Sequence, residues 1–171
     1  RRYSREGYLE TVARLRAAIP GIALTTDIIV GFPGETEDDY LETESLVREV
    51  GFDDAYTFKF SPREGTPATR LHDVVSDDIA SERLERLIAV VREGARRKNA
   101  TLVGTTHEVL VEAKARRGGS LQTRSRTNKV ALVEGPPEWI GRYLQVRFTG
   151  TTGATFTGIP VSAGRELAVV G

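Results

Sequence analysis

The 171-residue chain contains neither cysteine nor methionine. Without thiolates it has no disulfide, no cysteine nucleophile and no cysteine ligand for zinc or an iron–sulfur cluster. Because natural chains begin with methionine, its absence predicts that this is a piece of a longer protein. No apolar run approaches the roughly 20 residues that a transmembrane helix requires, and no signal peptide opens the sequence. We therefore expect a soluble, cytoplasmic protein with no membrane partner.

Aromatic residues make up only 7% of the chain, but its 39% hydrophobic and 28% charged residues are typical of a globular protein. The net charge of zero conceals an asymmetry, because nine Lys/Arg and five Asp/Glu follow residue 102 while acids are in excess before it. The basic residues cluster in residues 114–129, which contain no acid. This pattern suits either a basic module that faces a polyanion or a solvated loop.

The first 102 residues alternate helical and strand patterns. Helices are predicted at residues 5–18 and 37–50 and, as a long helix, within residues 76–102, with Ser4, Thr36 and Ser76 as their N-caps. Between them, residues 22–30 and 55–60 read as strands. The first strand is apolar almost throughout, which is typical of a strand buried on both faces of a parallel sheet. The order strand, helix, strand indicates a βαβ unit.

After residue 104 the pattern changes to short alternating segments separated by Gly, Pro and Ser. Strands are predicted at residues 108–113, 129–134, 143–149 and 154–160. Several short strands at this spacing indicate a small closed β-barrel, which we expect to be antiparallel and OB-like.

Polar residues follow both predicted strands of the first part. The turn at residues 31–36 lies where parallel sheets bind ligands, with glycines that allow close backbone approach and a helix N-terminus that favours anions. The same features also occur in an ordinary strand-to-helix turn. Asp27, inside the apolar strand, needs a partner, either a ligand or a neighbouring arginine. Arg63, in the loop after the second strand, suits a carboxylate or phosphate, unless it is simply an exposed loop residue.

The remaining polar groups divide into two kinds. His72 and His107 have no second ligand at metal spacing, so both are predicted to be structural. In residues 124–129, cations alternate with hydroxyl and amide donors, a composition that suits a nucleic-acid backbone. Four aromatic residues offer stacking faces, but their alternation predicts that most are in the core; these are Trp139, Tyr143, Phe148 and Phe156.

Two long motifs resemble those of the radical S-adenosylmethionine methylthiotransferases. They are TTDIIVGFPGET at residues 25–36 and SPREGTPA at residues 61–68. The shorter YSR at residues 3–5 and TNKV at residues 127–130 extend the resemblance over nearly the whole chain. Within the family, these forms favour the members that modify tRNA.

The resemblance implies an α/β plus all-β fold in three parts. Residues 1–75 would be the last part of a radical-SAM parallel (β/α) barrel, and residues 76–102 a connecting helix. Residues 103–171 would be an RNA-binding TRAM barrel. The TRAM motif usually begins with glycine where this chain has Thr123, so we expect the local turn to differ.

The resemblance also implies a function. The intact parent would add a methylthio group to C2 of N6-isopentenyladenosine next to the anticodon, with S-adenosylmethionine and two 4Fe–4S clusters as cofactors. This chain lacks the cluster cysteines, so we expect no bound cofactor, no catalytic residue and no activity from it alone. The implied cofactor-binding residues are Asp27, Gly31, Pro33, Gly34, Glu35, Arg63, Gly65 and Thr66. The implied contacts to the tRNA anticodon stem-loop are Lys114, Arg116, Arg117, Arg124, Arg126, Thr127, Asn128 and Lys129.

Three alternatives stay open. One is the sister methylthiotransferase that modifies a ribosomal protein, and another is the enzyme for N6-threonylcarbamoyladenosine. The third, from another class, is a non-catalytic RNA-binding adaptor. Because a partial barrel leaves a strand edge unpaired, we also expect the chain to self-associate or to have a mobile first half.

Overall fold

The computed structural model describes residues 4–63, 65–67, 71, 73–116 and 118–162. Contacts divide the chain into two compact units, Arg1–Ala95 and Arg96–Gly171. Within the described residues, no helix is both long enough and apolar enough to cross a membrane. Several residues singled out from the sequence lie outside this description, namely Tyr3, Glu64, Ala68, His72 and Arg117.

The three helices are α1 (Arg5–Ala18), α2 (Glu37–Val50) and α3 (Asp77–Ala100). Their predicted N-caps are confirmed. The hydroxyl of Ser4 accepts from the Gly7 N–H at 3.3 Å, and that of Ser76 accepts from the Ile79 N–H at 3.4 Å. Thr36 and Asp39 form a reciprocal capping box at the start of α2. Local sequence therefore determines where each helix begins.

Strands β1 (Thr25–Val30) and β2 (Asp54–Lys59) form a parallel pair, in which Asp27 lies opposite Tyr56 and Ile29 opposite Phe58. The predicted βαβ order is confirmed. The prediction that the first strand is buried on both faces is wrong, because its residues alternate between exposed and covered. Only one face of the sheet lies against the apolar core that the helices complete.

The core of the first unit gathers apolar side chains from all three helices on that face. Val30 and Tyr40 are completely buried, and Ile28 packs against the same cluster. Burying apolar surface of this kind contributes about 25 cal/mol per Å². The helices contribute Val12 from α1, Val47 and Val50 from α2, and Leu87, Val90 and Val91 from α3.

The second unit is a closed five-stranded barrel. Its strands are β3 (Thr106–Lys114), β4 (Leu121–Ser125), β5 (Val130–Val133), β6 (Tyr143–Thr151) and β7 (Thr155–Ser162). They pair in the order β3–β4–β5–β7–β6, and β6 closes the ring by pairing with β3. The expectation of a wholly antiparallel barrel is wrong at one pair, since β5 and β7 run parallel. The small closed barrel itself is confirmed.

Strand β4 was not predicted as a strand, because its five residues contain polar and basic side chains. Its alternation is nonetheless regular, with Leu121, Thr123 and Ser125 facing inward and buried. The expectation that Thr123 alters a local turn is wrong. Thr123 lies within β4, and its buried hydroxyl donates to the carbonyl of Ala131 on β5 at 2.9 Å.

Alternate residues of the other strands fill the barrel. Phe148 and Phe156 are fully buried and stack with their ring centroids 4.3 Å apart, which confirms the prediction that they are core residues. The ring of His107 also stacks on Phe148, with the ring centroids 4.6 Å apart, and its Nε2 lies 2.7 Å from the Thr105 hydroxyl. His107 is thus a packing residue of the barrel, and burial lowers its pKa.

Candidate cofactor cleft and RNA-binding face

One face of the β1–β2 sheet is not covered by the described residues. Tyr56 and Phe58 on β2 are 66% and 50% exposed. Asp27 and Ile29 are their register partners on β1 and are exposed too. Large apolar side chains on an unpartnered face are typical of a surface that contacts a ligand or another segment of protein.

A cleft of about 1120 Å³ borders β1 on both faces of the sheet. Asp27, Arg63 and Thr66 line it, so three of the predicted cofactor-binding residues lie in one cavity. Phe32 and Phe60 also line it and pack edge to face, with ring centroids 5.0 Å apart. The cleft therefore combines a carboxylate, a guanidinium and aromatic rings.

The Asp27 carboxylate keeps its contact with solvent in this cleft. Its side chain is exposed, so it does not need the buried partner that the apolar strand pattern suggested. Within the described residues it forms no hydrogen bond or ion pair, and its carboxylate stays available to a ligand in the cleft.

Three backbone donors of the turn at residues 31–36 already have acceptors within the first unit. The Gly31 N–H donates to Glu35 Oε2 at 2.8 Å, the Gly34 N–H to the Asp73 carbonyl at 2.7 Å, and the Glu35 N–H to the Phe32 carbonyl at 2.9 Å. Both glycines have positive φ, 73° and 86°, which explains why this turn uses glycine.

Helix α3 closes against this turn. Arg83 donates to the Glu35 carboxylate at 2.7 Å and to the Glu35 carbonyl at 3.1 Å. A Cβ added at Gly31 would lie only 2.6 Å from the Ala80 side chain. The turn therefore owes its position to a buried ion pair and a close helix approach, neither of which was apparent in the sequence.

A second arginine extends the network along α2. Arg86 donates to Glu37 at 2.8 Å and lies over the ring of Tyr40, 4.5 Å from its centroid. The hydrogen bond from Arg86 is the main cause of the lowered pKa of Glu37. Tyr40 is fully buried and donates to Glu44 at 2.9 Å. Burial, followed by the bond to Glu44, raises the Tyr40 pKa far above its usual value.

The other predicted cofactor-binding residues lie nearby. Gly31 and Pro33 line a smaller cavity of about 300 Å³ that shares Phe60 with the large cleft. Gly65 is in a turn with φ 80°, closed by the Thr66 hydroxyl, which donates to the Arg63 carbonyl at 2.8 Å. The structure thus brings the predicted set to one end of the sheet, but only part of it into the large cleft.

An iron–sulfur cluster does not fit this chain. Such clusters are held by thiolates, and the sequence contains no cysteine. Among the described residues, no group of three His, Asp or Glu side chains is placed to hold a metal ion either.

Two cations of the barrel are exposed at the connection between β3 and β4. Lys114 ends β3 and Arg116 follows it. Neither forms an ion pair within the described part of the chain. In OB-type barrels, the first inter-strand loop and the face of the second and third strands contact oligonucleotides. Here these correspond to the β3–β4 connection and to the outer face of β4 and β5.

The next two predicted cations are paired with acids from β3. Arg124 donates through Nε to Glu112 at 2.6 Å, and Arg126 through Nε to Glu108 at 2.9 Å. The Arg124 bond is the main cause of the lowered pKa of Glu112. The absence of acids between residues 114 and 129 is therefore misleading, since the fold supplies two from the neighbouring strand. The period of two in β3 is the signal that places Glu108 and Glu112 on its outer face.

The last predicted RNA contacts form the turn between β4 and β5. Asn128 has φ 63°, and its side-chain oxygen accepts from Arg124 at 2.8 Å. Thr127 lies 3.1 Å from the Ser125 hydroxyl. Lys129 is buried, so its side chain is less accessible to RNA than the sequence suggested.

Residues 100–161 match the TRAM domain family. The chain is 49% identical to a tRNA-2-methylthio-N(6)-dimethylallyladenosine synthase of Geobacillus thermodenitrificans, over 92% of this chain and 30% of that protein. Synthases of the same name from Methylacidiphilum infernorum and Akkermansia muciniphila are each 44% identical, over 99% and 94% of the chain and 36% and 35% of their own lengths. The chain thus spans about a third of these relatives. The resemblance to methylthiotransferases is confirmed.

Proposed function

We propose that this chain, a homologue of the tRNA-2-methylthio-N(6)-dimethylallyladenosine synthases, is the C-terminal part of such an enzyme. The intact protein would replace the C2 hydrogen of N6-isopentenyladenosine, next to the anticodon, by a methylthio group. The observation that carries the proposal is identity of 44–49% across 92–99% of the chain, together with a TRAM barrel. A non-catalytic RNA-binding adaptor is disfavoured, because the similarity includes the whole first unit.

The barrel is proposed to bind the anticodon stem-loop of tRNA. Lys114 and Arg116 stand exposed at the β3–β4 connection, and Arg124 and Arg126 lie towards the other end of the β3–β4 pair, where Arg124 is opposite Leu110. Cations of this kind contribute salt-dependent affinity for phosphates, while the Thr127 hydroxyl can fix register on the backbone. Asn128 is proposed as a further RNA contact, and so is Arg117, which lies outside the described residues.

The first unit is proposed to be a segment of a parallel (β/α) barrel. Its two strands run parallel, and the helix-derived core lies on one face of the sheet. The other face presents Ile29, Tyr56 and Phe58 without a covering layer in the described residues. In a complete (β/α) barrel, that face would be the packed interior. Residues of the parent beyond this chain would supply the other strands.

The donor set of the large cleft fits S-adenosylmethionine. Asp27 would accept from ribose hydroxyls or the ammonium group, and Arg63 would hold the carboxylate. Thr66 offers a hydroxyl, while Gly31, Pro33, Gly34 and Gly65 shape the neighbouring turns. Glu35 would act indirectly, since its carboxylate already binds Arg83 and the Gly31 N–H. When bound, S-adenosylmethionine supplies the methyl group and the radical initiator, and the two 4Fe–4S clusters would take their cysteines from the rest of the parent.

The direct experiment is modification of tRNA by the intact protein that contains this chain. After reconstitution of its clusters, the enzyme is incubated with tRNA that carries N6-isopentenyladenosine, and the nucleosides are analysed by mass spectrometry. We expect 2-methylthio-N6-isopentenyladenosine to appear. If N6-isopentenyladenosine stays unchanged while a ribosomal protein, or N6-threonylcarbamoyladenosine in tRNA, becomes methylthiolated, one of the sister activities would replace this proposal.

Two variants test the roles of the two units. Asp27→Asn should weaken S-adenosylmethionine binding and leave tRNA binding intact. Lys114→Ala with Arg116→Ala should raise the KM for tRNA and leave S-adenosylmethionine binding intact. If Asp27→Asn weakened tRNA binding, or if the double variant weakened S-adenosylmethionine binding, the assignment of the cofactor to the cleft and of tRNA to the barrel would be contradicted.

A further inference from the structure

The outer face of β3 carries two acids next to Arg124 and Arg126, which are proposed to contact RNA. Val109 and Val111 point into the barrel and are fully buried, so Glu108 and Glu112 point outward. A register shift between Val111 and Ala113 marks a bulge at Glu112. Bulges re-aim side chains, and this one brings the Glu112 carboxylate to the guanidinium of Arg124.

Each carboxylate is engaged with groups proposed to contact RNA. Both oxygens of Glu112 accept hydrogen bonds, one from Arg124 at 2.6 Å and the other from Gln122 at 3.2 Å. Arg124 is held on its far side by Asn128 at 2.8 Å. Glu108 Oε1 lies within 2.9 Å of both the Nε and a terminal nitrogen of Arg126. Two cations of the barrel, the half-buried Arg124 and the exposed Arg126, are thus neutralised within the fold.

The two ion pairs differ in exposure. Arg126 is 83% exposed, so water and salt screen its attraction to Glu108. Arg124 and Glu112 are both half-buried, and their bond is shorter. A phosphate therefore displaces Glu108 more easily than Glu112. Lys114 and Arg116, with no ion pair in the described part of the chain, need no displacement at all.

From these contacts we infer that Glu108 and Glu112 lower the affinity of the barrel for RNA, because Arg126 and Arg124 bind RNA only when a phosphate replaces the carboxylate. The inference rests on the proposed RNA-binding function of the barrel. An unstructured RNA would bind chiefly through Lys114 and Arg116. An RNA of fixed shape, such as a stem-loop, would place phosphates at both arginines. The new arginine–phosphate contacts would then offset the free energy lost when both ion pairs break.

The test compares Glu108→Gln and Glu112→Gln with Glu138→Gln, which removes the same charge from an exposed site of the barrel. Affinities for an anticodon stem-loop and for an oligouridylate of equal length are measured by fluorescence anisotropy across a salt series. We expect each of the first two variants to bind oligouridylate about two- to fivefold tighter than Glu138→Gln does. The slope of log affinity against log salt should steepen by about one unit for each released arginine. Stem-loop affinity should rise by at least as large a factor, because the stem-loop no longer has to break the ion pair that each variant removes.

Two results would overturn the inference. If Glu108→Gln and Glu112→Gln raise the affinity for RNA no more than Glu138→Gln does, the acids act only through net charge. The proposed function would still stand in that case, provided that the unaltered chain shows salt-dependent RNA binding. If the altered chains bind more weakly, the acids orient the arginines for RNA instead. Absence of RNA binding by the unaltered chain and by every variant would reject the proposed function and the inference together.

Discussion

Arg83 and Glu35 form an ion pair at 2.7 Å in which the two side chains are only 6% and 11% exposed. The same carboxylate oxygen accepts the Gly31 N–H, so one interaction joins α3, the glycine turn and the start of α2. The turn belongs to the proposed cofactor-binding set, yet its shape depends on a helix that begins more than 40 residues later.

Replacing Arg83 should therefore destabilise the first unit more than an exposed pair would. Arg83→Ala leaves the Glu35 carboxylate buried without a cation, which typically costs about 3 kcal/mol. Arg48→Ala removes the exposed partner of Glu44 and should cost about 0.5 kcal/mol or less. Urea unfolding followed by far-UV circular dichroism measures both, while fluorescence of Trp139, the single tryptophan, reports the barrel. Equal effects of the two substitutions would contradict the importance of the buried pair.

Gly31 should not tolerate a side chain, for two separable reasons. Gly31→Ala meets the Ala80 side chain at 2.6 Å and also adopts φ 73°. Gly34→Ala has φ 86° with open space around it, so it should show only the backbone strain of about 1 kcal/mol. We expect Gly31→Ala to lose more stability in the same unfolding assay. The pair Gly31→Ala with Ala80→Gly should recover part of the loss, and failure to recover any would exclude the close helix approach as the cause.

The part of the fold that local sequence encodes was predicted. Ser4, Thr36 and Ser76 each cap a helix, because a cap needs only residues within one turn. The core positions of Phe148 and Phe156 followed from alternation along single strands. These features depend on neighbours in the chain, and the sequence shows such neighbours directly.

Features that depend on residues distant in the sequence were not predicted. Single-strand patterns do not reveal that β5 and β7 run parallel, or that the short, polar β4 is a full barrel strand. The partners of Arg83 and Arg124 come from other elements, so a count of charges along residues 114–129 overstated the free positive charge. Asp27 looked buried because an apolar strand was assumed to be covered on both faces.

The barrel should lose stability as the pH falls below 6.5. Burial lowers the folded-state pKa of His107 below 6.5, so the unfolded chain takes up this proton first as the pH decreases. The free energy of unfolding therefore falls from pH 6.5 until the lowered pKa is reached, and this contribution is constant below it. His107→Phe keeps an aromatic ring stacked on Phe148 but removes the imidazole that takes up the proton. Urea unfolding followed by Trp139 fluorescence should show a flatter profile for the variant, and an unchanged slope would exclude His107 as its source.

The chain should self-associate through the uncovered β1–β2 sheet. Ile29 on β1 and Ile159 on the closed barrel are almost equally exposed, at 52% and 53%. We expect sedimentation velocity to show a mass that rises with protein concentration. Ile29→Lys should lower this mass, because a charge on an edge strand opposes pairing with a second copy. Ile159→Lys should leave it unchanged. A monomer at every concentration, or equal effects of the two substitutions, would contradict this expectation.

Binding of this chain to an unmodified tRNA anticodon stem-loop across a salt series shows whether the barrel holds tRNA. We predict steeply salt-dependent binding, with a slope that falls by about two units in Lys114→Ala with Arg116→Ala. Arg14→Ala with Arg92→Ala removes two exposed cations from the first unit and should leave the slope unchanged. No binding at low salt, or an equal loss in both double variants, would contradict the assignment of tRNA binding to the barrel.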